Sequence, residues 1–179
     1  MKPPRYLIVT IALLLCQCLL PATALASLPS EKNILELFVR VFPDTKNIGI
    51  IYSEPKHEQT VKIIKQHAKE LKIEAKSFKV SSIKEFSEAL NELKGAVDTI
   101  WVLDDSLYSN MEVWKYFIMF TMRHRIKTIV HSEKALSLGG LFYCPDTTEV
   151  LVNRRVMDLI GVKAREDVAP VKYYGEGQG

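Results

Sequence analysis

Polar side chains with the chemistry to bind a small molecule follow a buried apolar segment early in the chain. Ser53, Glu54 and His57 come directly after the apolar residues 48–52. Free backbone N–H groups at the start of a following helix, aided by the helix dipole, would hold a carboxylate here. The alternative is ordinary capping, in which Ser53 and Pro55 shape the turn and close the helix end.

A second polar cluster follows the next strongly apolar segment. Asp104, Asp105 and Ser106 come after residues 97–103. An Asp or Ser at this position commonly caps a helix. Two neighbouring carboxylates also resemble part of a site for a hard divalent cation, which would need further acidic residues near the first strand. Only Glu54 is available there, so capping and ligand contact are the two stronger interpretations.

The remaining reactive side chains form no catalytic pattern. His131 and Ser132 are neighbours, but the chain has no Gly-x-Ser-x-Gly elbow, and an exposed loop histidine is the simpler interpretation. The four histidines show no metal-ligand spacing. Cys144 follows an apolar segment and is predicted to be a small buried side chain rather than a nucleophile. The sequence therefore predicts no enzyme activity, no metal and no cofactor.

These residues are positioned by strands that alternate with amphipathic helices. Strands are predicted at residues 47–52, 74–80, 97–103, 127–130 and 141–143, and helices at 34–42, 58–71, 82–93, 107–124, 132–138 and 156–160. Residues 146–156 fit a helix start or a strand equally well. The alternation predicts an α/β fold, a three-layer αβα flavodoxin-like domain whose parallel sheet is covered on both faces.

The predicted helix at 107–124 is apolar on more than one face. Such a helix is normally buried in a core, and otherwise it docks against another chain. Core packing is the default interpretation. A second copy of the chain or a membrane partner is the alternative.

The first 26 residues have the features of a secretory signal peptide. Lys2 and Arg5 provide a positive start, residues 6–20 are almost wholly apolar, and small residues at 24–26 suit cleavage after Ala26. An uncleaved anchor is the alternative. The sequence therefore predicts an exported, periplasmic protein with a single domain at 27–170 and a flexible tail at 171–179.

Charge and cysteine content limit the partners. The chain has 24 basic and 21 acidic residues, and removal of the predicted signal peptide leaves a net charge of about +1. A nearly neutral surface argues against nucleic-acid binding, which requires a basic stripe. Only Cys144 remains after cleavage, so no internal disulfide forms and the fold depends on its core.

Five segments in order resemble one known family. They are residues 46–55 (KNIGIIYSEP), 94–106 (KGAVDTIWVLDDS), 129–133 (IVHSE), 139–141 (GGL), and Asp146 with Glu149. Their order and spacing resemble the C-terminal lobe of ABC-transporter solute-binding proteins with the type I periplasmic-binding fold, in particular those associated with tryptophan and tyrosine uptake. The resemblance covers residues 34–168.

The resemblance implies an exported binding protein for a small, amino-acid-like solute that works with an ABC permease. It places Ser132 and Asp146 near the ligand edge and implies that Asp105 accepts a ligand ammonium group. Family members close two lobes on the ligand, so closure would need another copy or a separate protein. A tyrosine pair common in the family is replaced by Thr147 and Thr148. The alternative is a transport-inactive interaction or sensory module on the same scaffold.

Overall fold

A computed structural model describes residues 29–53, 55–103, 110–147, 149–167 and 171–175. The strands are β1 Asn47–Tyr52, β2 Glu74–Lys79, β3 Thr99–Val102, β4 Lys127–Val130, β5 Phe142–Tyr143, β6 Val150–Asn153 and β7 Val171–Tyr174. The α-helices are α1 Glu31–Val41, α2 Glu58–Glu70, α3 Ile83–Leu93, α4 Met111–His124, α5 Glu133–Ser137 and α6 Arg154–Ile160. A 3₁₀ turn, Pro55–His57, precedes α2.

The seven strands form one sheet in the order β2-β1-β3-β4-β5-β6-β7. Strands β1 to β5 pair in parallel, which confirms the predicted α/β architecture. The chain then reverses, because β6 pairs with β5 in the antiparallel sense. A parallel connection needs a crossover of about a dozen residues or more, whereas only residues 144–149 join these two strands. Residues 150–153, which fitted helix or strand, are therefore strand.

Helices cover both faces of the sheet and create two apolar cores. The first core unites α1, α2 and α6 with side chains of the sheet, and its centre is the aromatic group of Phe38, Phe42 and Phe142. The second core unites α3, α4 and α5 with the opposite face of the same strands. Burial on both faces explains why the central strands are apolar throughout instead of alternating.

One glycine sets how closely a helix approaches the sheet. A Cβ atom at Gly49 of β1 would lie 2.5 Å from Cδ2 of Leu93 on α3. No side chain larger than hydrogen fits there unless the Leu93 side chain shifts. Gly49 is therefore required by the packing of the second core.

An ionic network ties the amino ends of three strands together. Oδ2 of Asp98 accepts hydrogen bonds from the backbone N–H groups of Lys46 and Asn47, at 2.8 and 2.9 Å. Oδ1 of Asp98 accepts one from the Thr99 hydroxyl at 2.8 Å. The buried Lys127 ammonium lies 3.0 Å from Asp44 and 3.7 Å from Asp98. Asp98 therefore links the starts of β1, β3 and β4.

Two sequence predictions about element ends are wrong. The long apolar helix was expected to start at 107 with Asp105 or Ser106 as its cap, but α4 begins at Met111 and its cap is Asn110. The Asn110 side chain accepts hydrogen bonds from two backbone N–H groups in the first turn, at 3.1 and 3.3 Å. An asparagine one turn further along competes well for the capping position.

The predicted flexible tail also begins too early. Val171–Tyr174 is strand β7, paired in parallel with β6. The alternation of partly buried and exposed residues in this strand is weak, so its pairing was not visible in the sequence. The predicted domain limits and the signal peptide at 1–26 remain predictions, since residues 1–28 lie outside the described part of the chain. Within the described ranges, no helix combines the length and apolarity that a membrane crossing requires.

Candidate functional site

A cavity of about 330 Å³ lies at the carboxyl edge of the parallel strands. In open α/β sheets this edge is where small ligands bind. The cavity is lined by Pro29, Glu31, Ile34, His57, Thr60, Leu103, Val130, His131, Tyr143, Cys144 and Pro145. Its volume falls at the low end of the ~300–1,000 Å³ that is typical of small-molecule sites.

Three strand ends and two helix starts build this cavity. Strands β3, β4 and β5 each end at its wall, and they deliver Leu103, His131 and Tyr143 in turn. The starts of α1 and α2 close the other side with Glu31 and His57. Parallel strands place their carboxyl ends at one edge, so residues far apart in sequence meet here.

A buried tryptophan orients the histidine of the cavity. The Trp101 indole N–H donates a 2.7 Å hydrogen bond to Nε2 of His131. The two rings are also stacked, with centroids 5.7 Å apart and an interplanar angle of 21°. Because Nε2 accepts a hydrogen bond, the imidazole is neutral with its proton on Nδ1. His131 is therefore not the exposed loop histidine expected from the sequence, but a half-buried side chain fixed by Trp101.

The start of α2 differs from the other helix starts in the described residues. The remaining five α-helices each have a side-chain cap, whereas His57 at the start of α2 makes no capping hydrogen bond. Ser53 does not cap this helix either. Its side chain lines a separate hollow of about 290 Å³ with Ser81 and Ser82. Ser53 thus lies outside the cavity, and its part in shaping the turn stays a prediction because Glu54 lies outside the described residues.

Two further predicted site residues have structural roles. Ser132 caps the five-residue helix α5, since its Oγ accepts a hydrogen bond from the Ala135 N–H at 3.2 Å. Asp146 closes the turn before β6, because its Oδ1 accepts from the Glu149 N–H at 3.1 Å. Neither side chain lines the cavity. Asp146 is nevertheless adjacent to it through Pro145.

Cys144 lies in the cavity wall, but its thiol is not activated as a nucleophile. Its thiol is buried and donates to the Asp146 carbonyl oxygen at 2.9 Å. Burial, with the negative charge of Asp146 adding to it, raises the pKa of the Cys144 thiol to about 11. Burial also raises the pKa of the neighbouring Tyr143 hydroxyl, and the charge of Glu133 acts in the same direction. Both groups are neutral at physiological pH, as predicted for a buried cysteine.

The structure places one of the eight predicted site residues in the wall of this cavity. Of the predicted set, His57 lines the cavity, and Ser53, Ser132 and Asp146 do not. The other four, Glu54, Asp104, Asp105 and Ser106, lie outside the described residues, although Leu103 leads directly from the cavity wall towards the last three. Within the described ranges, no group of three His, Cys, Asp or Glu side chains could hold a metal ion.

Trp101, Thr60 and Tyr143 are among the residues of this site that sequence reasoning missed. Trp101 was a strand residue with no assigned partner, although its position two residues before the strand end is compatible with a contact at the carboxyl edge. Tyr143 ends the fifth predicted strand, and a polar-tipped aromatic side chain at a strand end was the available signal. Thr60 gave none, since it lies in the first turn of an ordinary amphipathic helix.

A larger cavity of about 700 Å³ is not the better candidate. It lies where β6 and β7 end and α6 begins, and its lining includes Asn153, Arg154 and Tyr174. These two strands run opposite to β1–β5, so the cavity opens at the other edge of the sheet. Arg154 is already engaged, since its guanidinium lies 4.7 Å from the Tyr173 ring centroid and 3.8 Å from Asp158.

Comparison with known proteins gives the family and the fold of this chain. The family model described as ABC transporter substrate binding protein matches residues 21–143. No match is found among curated protein sequences. Several solved structures share the fold. One is the ABC domain in complex with L-Trp from Streptococcus pneumoniae, with a TM-score of 0.68, 18% identity, and coverage of 81% of this chain and 60% of that one.

Two further similar structures come from different bacteria. A conserved domain protein from Vibrio cholerae has a TM-score of 0.66 and 14% identity, with coverage of 82% of this chain and 62% of that one. The ligand-free, open structure of CD0873, a substrate-binding protein with adhesive properties from Clostridium difficile, has a TM-score of 0.65 and 16% identity, with coverage of 82% and 60%. The chain thus spans about three fifths of the length of these structures.

Proposed function

Because the chain belongs to the family of ABC transporter substrate-binding proteins, we propose that it binds a small amino-acid-like solute in the cavity at the carboxyl edge of its sheet. The observation that carries this proposal is the orientation of His131 by Trp101 in the wall of that cavity. A histidine held by a buried donor is pre-organised, which lowers the entropy cost of binding.

The chemistry of the wall favours a solute with an apolar or aromatic side chain. Leu103 and Val130 offer apolar contact, and the rings of His57, His131 and Tyr143 offer flat surfaces for stacking. The presence of L-Trp in one structure with the same fold supports this solute class.

The solute's charged groups need partners at the same edge. The start of α2 has no side-chain cap, and its backbone N–H groups with the helix dipole suit a carboxylate. Asp105, which lies outside the described residues, is the proposed acceptor for the ammonium group. That role comes from the family resemblance and remains to be tested by substitution.

Export and delivery complete the proposal. The chain would leave the cytoplasm through its predicted signal peptide, lose residues 1–26, and pass its solute to an ABC permease in the membrane. Mass spectrometry of the exported protein tests the first step. A mass that corresponds to a chain starting at Ser27 supports cleavage, and a retained N-terminus contradicts it.

A thermal-shift screen against amino acids and related carboxylates tests solute binding directly. A ligand at ~100 times its dissociation constant adds about 2.7 kcal/mol to the free energy of unfolding. For a domain of this size the melting temperature should rise by several degrees. The variants are His131→Ala and Asp105→Ala, and His124→Ala, at the far end of α4, is the matched histidine control.

The outcomes separate the two functional classes. A selective shift that survives in His124→Ala but is lost in His131→Ala supports the cavity as the solute site. A shift that is equally large in His131→Ala contradicts the assignment of this cavity. No shift from any solute, in a folded protein, refutes the binding function and favours the interaction-module alternative.

A further inference from the structure

An apolar surface runs between α3 and α4, on the side of the sheet opposite to the candidate cavity. Of the six large hydrophobic side chains that are exposed in the described residues, four belong to these two helices. Ile83 is 64% exposed, Tyr116 45% and Met119 65%, and Met111 lies at the rim. This surface is called the α3–α4 face. It includes Glu112 at one end and Lys94 and Arg123 at the other.

The α3–α4 face contains two hollows separated by Tyr116. Tyr116 reaches across from α4 to α3, where its hydroxyl lies 3.4 Å from Oγ of Ser87. The upper hollow, about 330 Å³, is lined largely by apolar side chains that include Ile83 and Phe86. The lower hollow, about 230 Å³, has Met119 in its wall. Met119 is 65% exposed beside this hollow, and its flexible side chain is suited to filling a gap in a partner surface.

The charges on this face are separated end to end. Glu112 borders the upper hollow, whereas Lys94 and Arg123 border the lower one. None of these three side chains forms an ion pair within the described residues. Glu112 and Arg123 are eleven residues apart on one helix, which is about 16 Å at 1.5 Å per residue. Along this row of α4, Glu112 therefore stands at one end and Arg123 at the other, with the exposed Tyr116 and Met119 between them.

We propose that the α3–α4 face binds a second copy of this chain across a two-fold axis near Tyr116 and Met119. A surface with this order of charges is complementary to itself when it is turned end to end. In a two-fold interface each residue meets its counterpart reciprocally, so Glu112 of each copy faces Arg123 of the other. Each Met119 then lies over the central tyrosine of the other copy.

The order of the charges along the α3–α4 face favours a second copy of the chain over other partners. A lipid surface would engage the basic end and the exposed apolar side chains but would repel Glu112. The two-fold arrangement uses both charged ends and the apolar centre at once. It also leaves the cavity at the carboxyl edge open, so it is independent of solute binding.

Sedimentation velocity on the purified full chain tests the proposal. A small interface of this kind gives a weak dimer, expected to be populated at protein concentrations of about 100 µM. Glu112→Arg and Arg123→Glu each place like charges opposite one another and should weaken dimerisation at least about tenfold. Met119→Glu should do the same through the apolar centre. Leu159→Glu, which alters an equally exposed apolar residue on α6, is the control and should have no effect.

Mixing the two charge variants provides the sharpest test. Glu112→Arg is basic at both ends and Arg123→Glu is acidic at both, so each should be monomeric alone and the equimolar mixture should form a heterodimer. The double variant should dimerise with itself as the wild type does. Recovery also shows that both variants are folded.

Three results would overturn the proposal. The first is a wild-type chain that stays monomeric throughout the concentration range. The second is a dimer that withstands both charge reversals and Met119→Glu. The third is a monomer that co-floats with vesicles of anionic phospholipid, with binding lost in Arg123→Glu, which would assign the face to a membrane surface.

Discussion

Replacement of Asp98 by alanine should be among the most destabilising single changes in this chain. The substitution removes the acceptor of three hydrogen bonds, from Lys46, Asn47 and Thr99, at 2.8–2.9 Å. It also leaves the Lys127 ammonium, only 2% exposed, with a single counterion, Asp44. The loss therefore combines hydrogen bonding with an undercompensated buried charge.

The size of the effect follows from these contacts. A hydrogen bond to a charged group contributes about 1.5–3 kcal/mol, but the amide of Lys46 is exposed and regains water when the carboxylate is removed. Breaking a buried ion pair by removing one partner costs about 3–5 kcal/mol. We expect Asp98→Ala to lower the free energy of unfolding by about 4 kcal/mol, and Asp98→Asn, which retains one acceptor oxygen, by about 2 kcal/mol.

The assay is urea denaturation, with the change read from the midpoint at an unchanged m value. Lys127→Met removes the buried charge itself and should cost about 1 kcal/mol or less, so that the double variant with Asp98→Ala is less destabilised than Asp98→Ala alone. Asp158→Ala, which breaks only the exposed pair with Arg154, is the control and should stay within about 0.5 kcal/mol. A loss of under about 1 kcal/mol in Asp98→Ala would refute the network argument.

Three further predictions concern single contacts. Cys144 stays protonated to about pH 11 in the folded chain but ionises near 9 when unfolded, so stability should fall between pH 9 and 11, and Cys144→Ala should flatten this dependence in urea titrations. Gly49→Ala should cost about 1–3 kcal/mol by urea denaturation through its clash with Leu93, and Leu93→Ala should make the change at Gly49 nearly neutral. Asn110→Ala should lower the melting temperature, with a loss of about 1 kcal/mol from the helix cap, whereas Asn91→Ala on the exposed side of α3 should not.

Local sequence patterns predicted most of the helices and strands of the fold. Helices were predicted to start at Ser82 and Ser132, and in the structure both serines accept a backbone hydrogen bond as caps of α3 and α5, at 3.2 Å. Strand β1 was predicted at its observed bounds. In each case the interaction that decides the structure lies within a few residues along the chain. The error at the start of α4 arose because Asp105, Ser106 and Asn110 are all residue types that cap helices.

The candidate site was only partly predictable. The sequence indicated the edge of the sheet at which the candidate cavity lies, because parallel strands present their carboxyl ends together. It did not distinguish His57, which reaches the cavity, from Ser53, which lines a neighbouring hollow. The sequence also predicted an exposed loop histidine at His131, because the Trp101 indole that contacts it is thirty residues away in the chain.

The sequence by itself determined the type and order of the elements and hence the α/β class, because hydrophobic periodicity and caps act over one or two turns of chain. Only the tertiary structure decided the reversal between β5 and β6, the pairing of Asp98 with Lys127, and the contact between Trp101 and His131. These depend on which strands become neighbours in the sheet. That choice is made by the packing of the whole core, in which side chains distant in sequence compete for the same space.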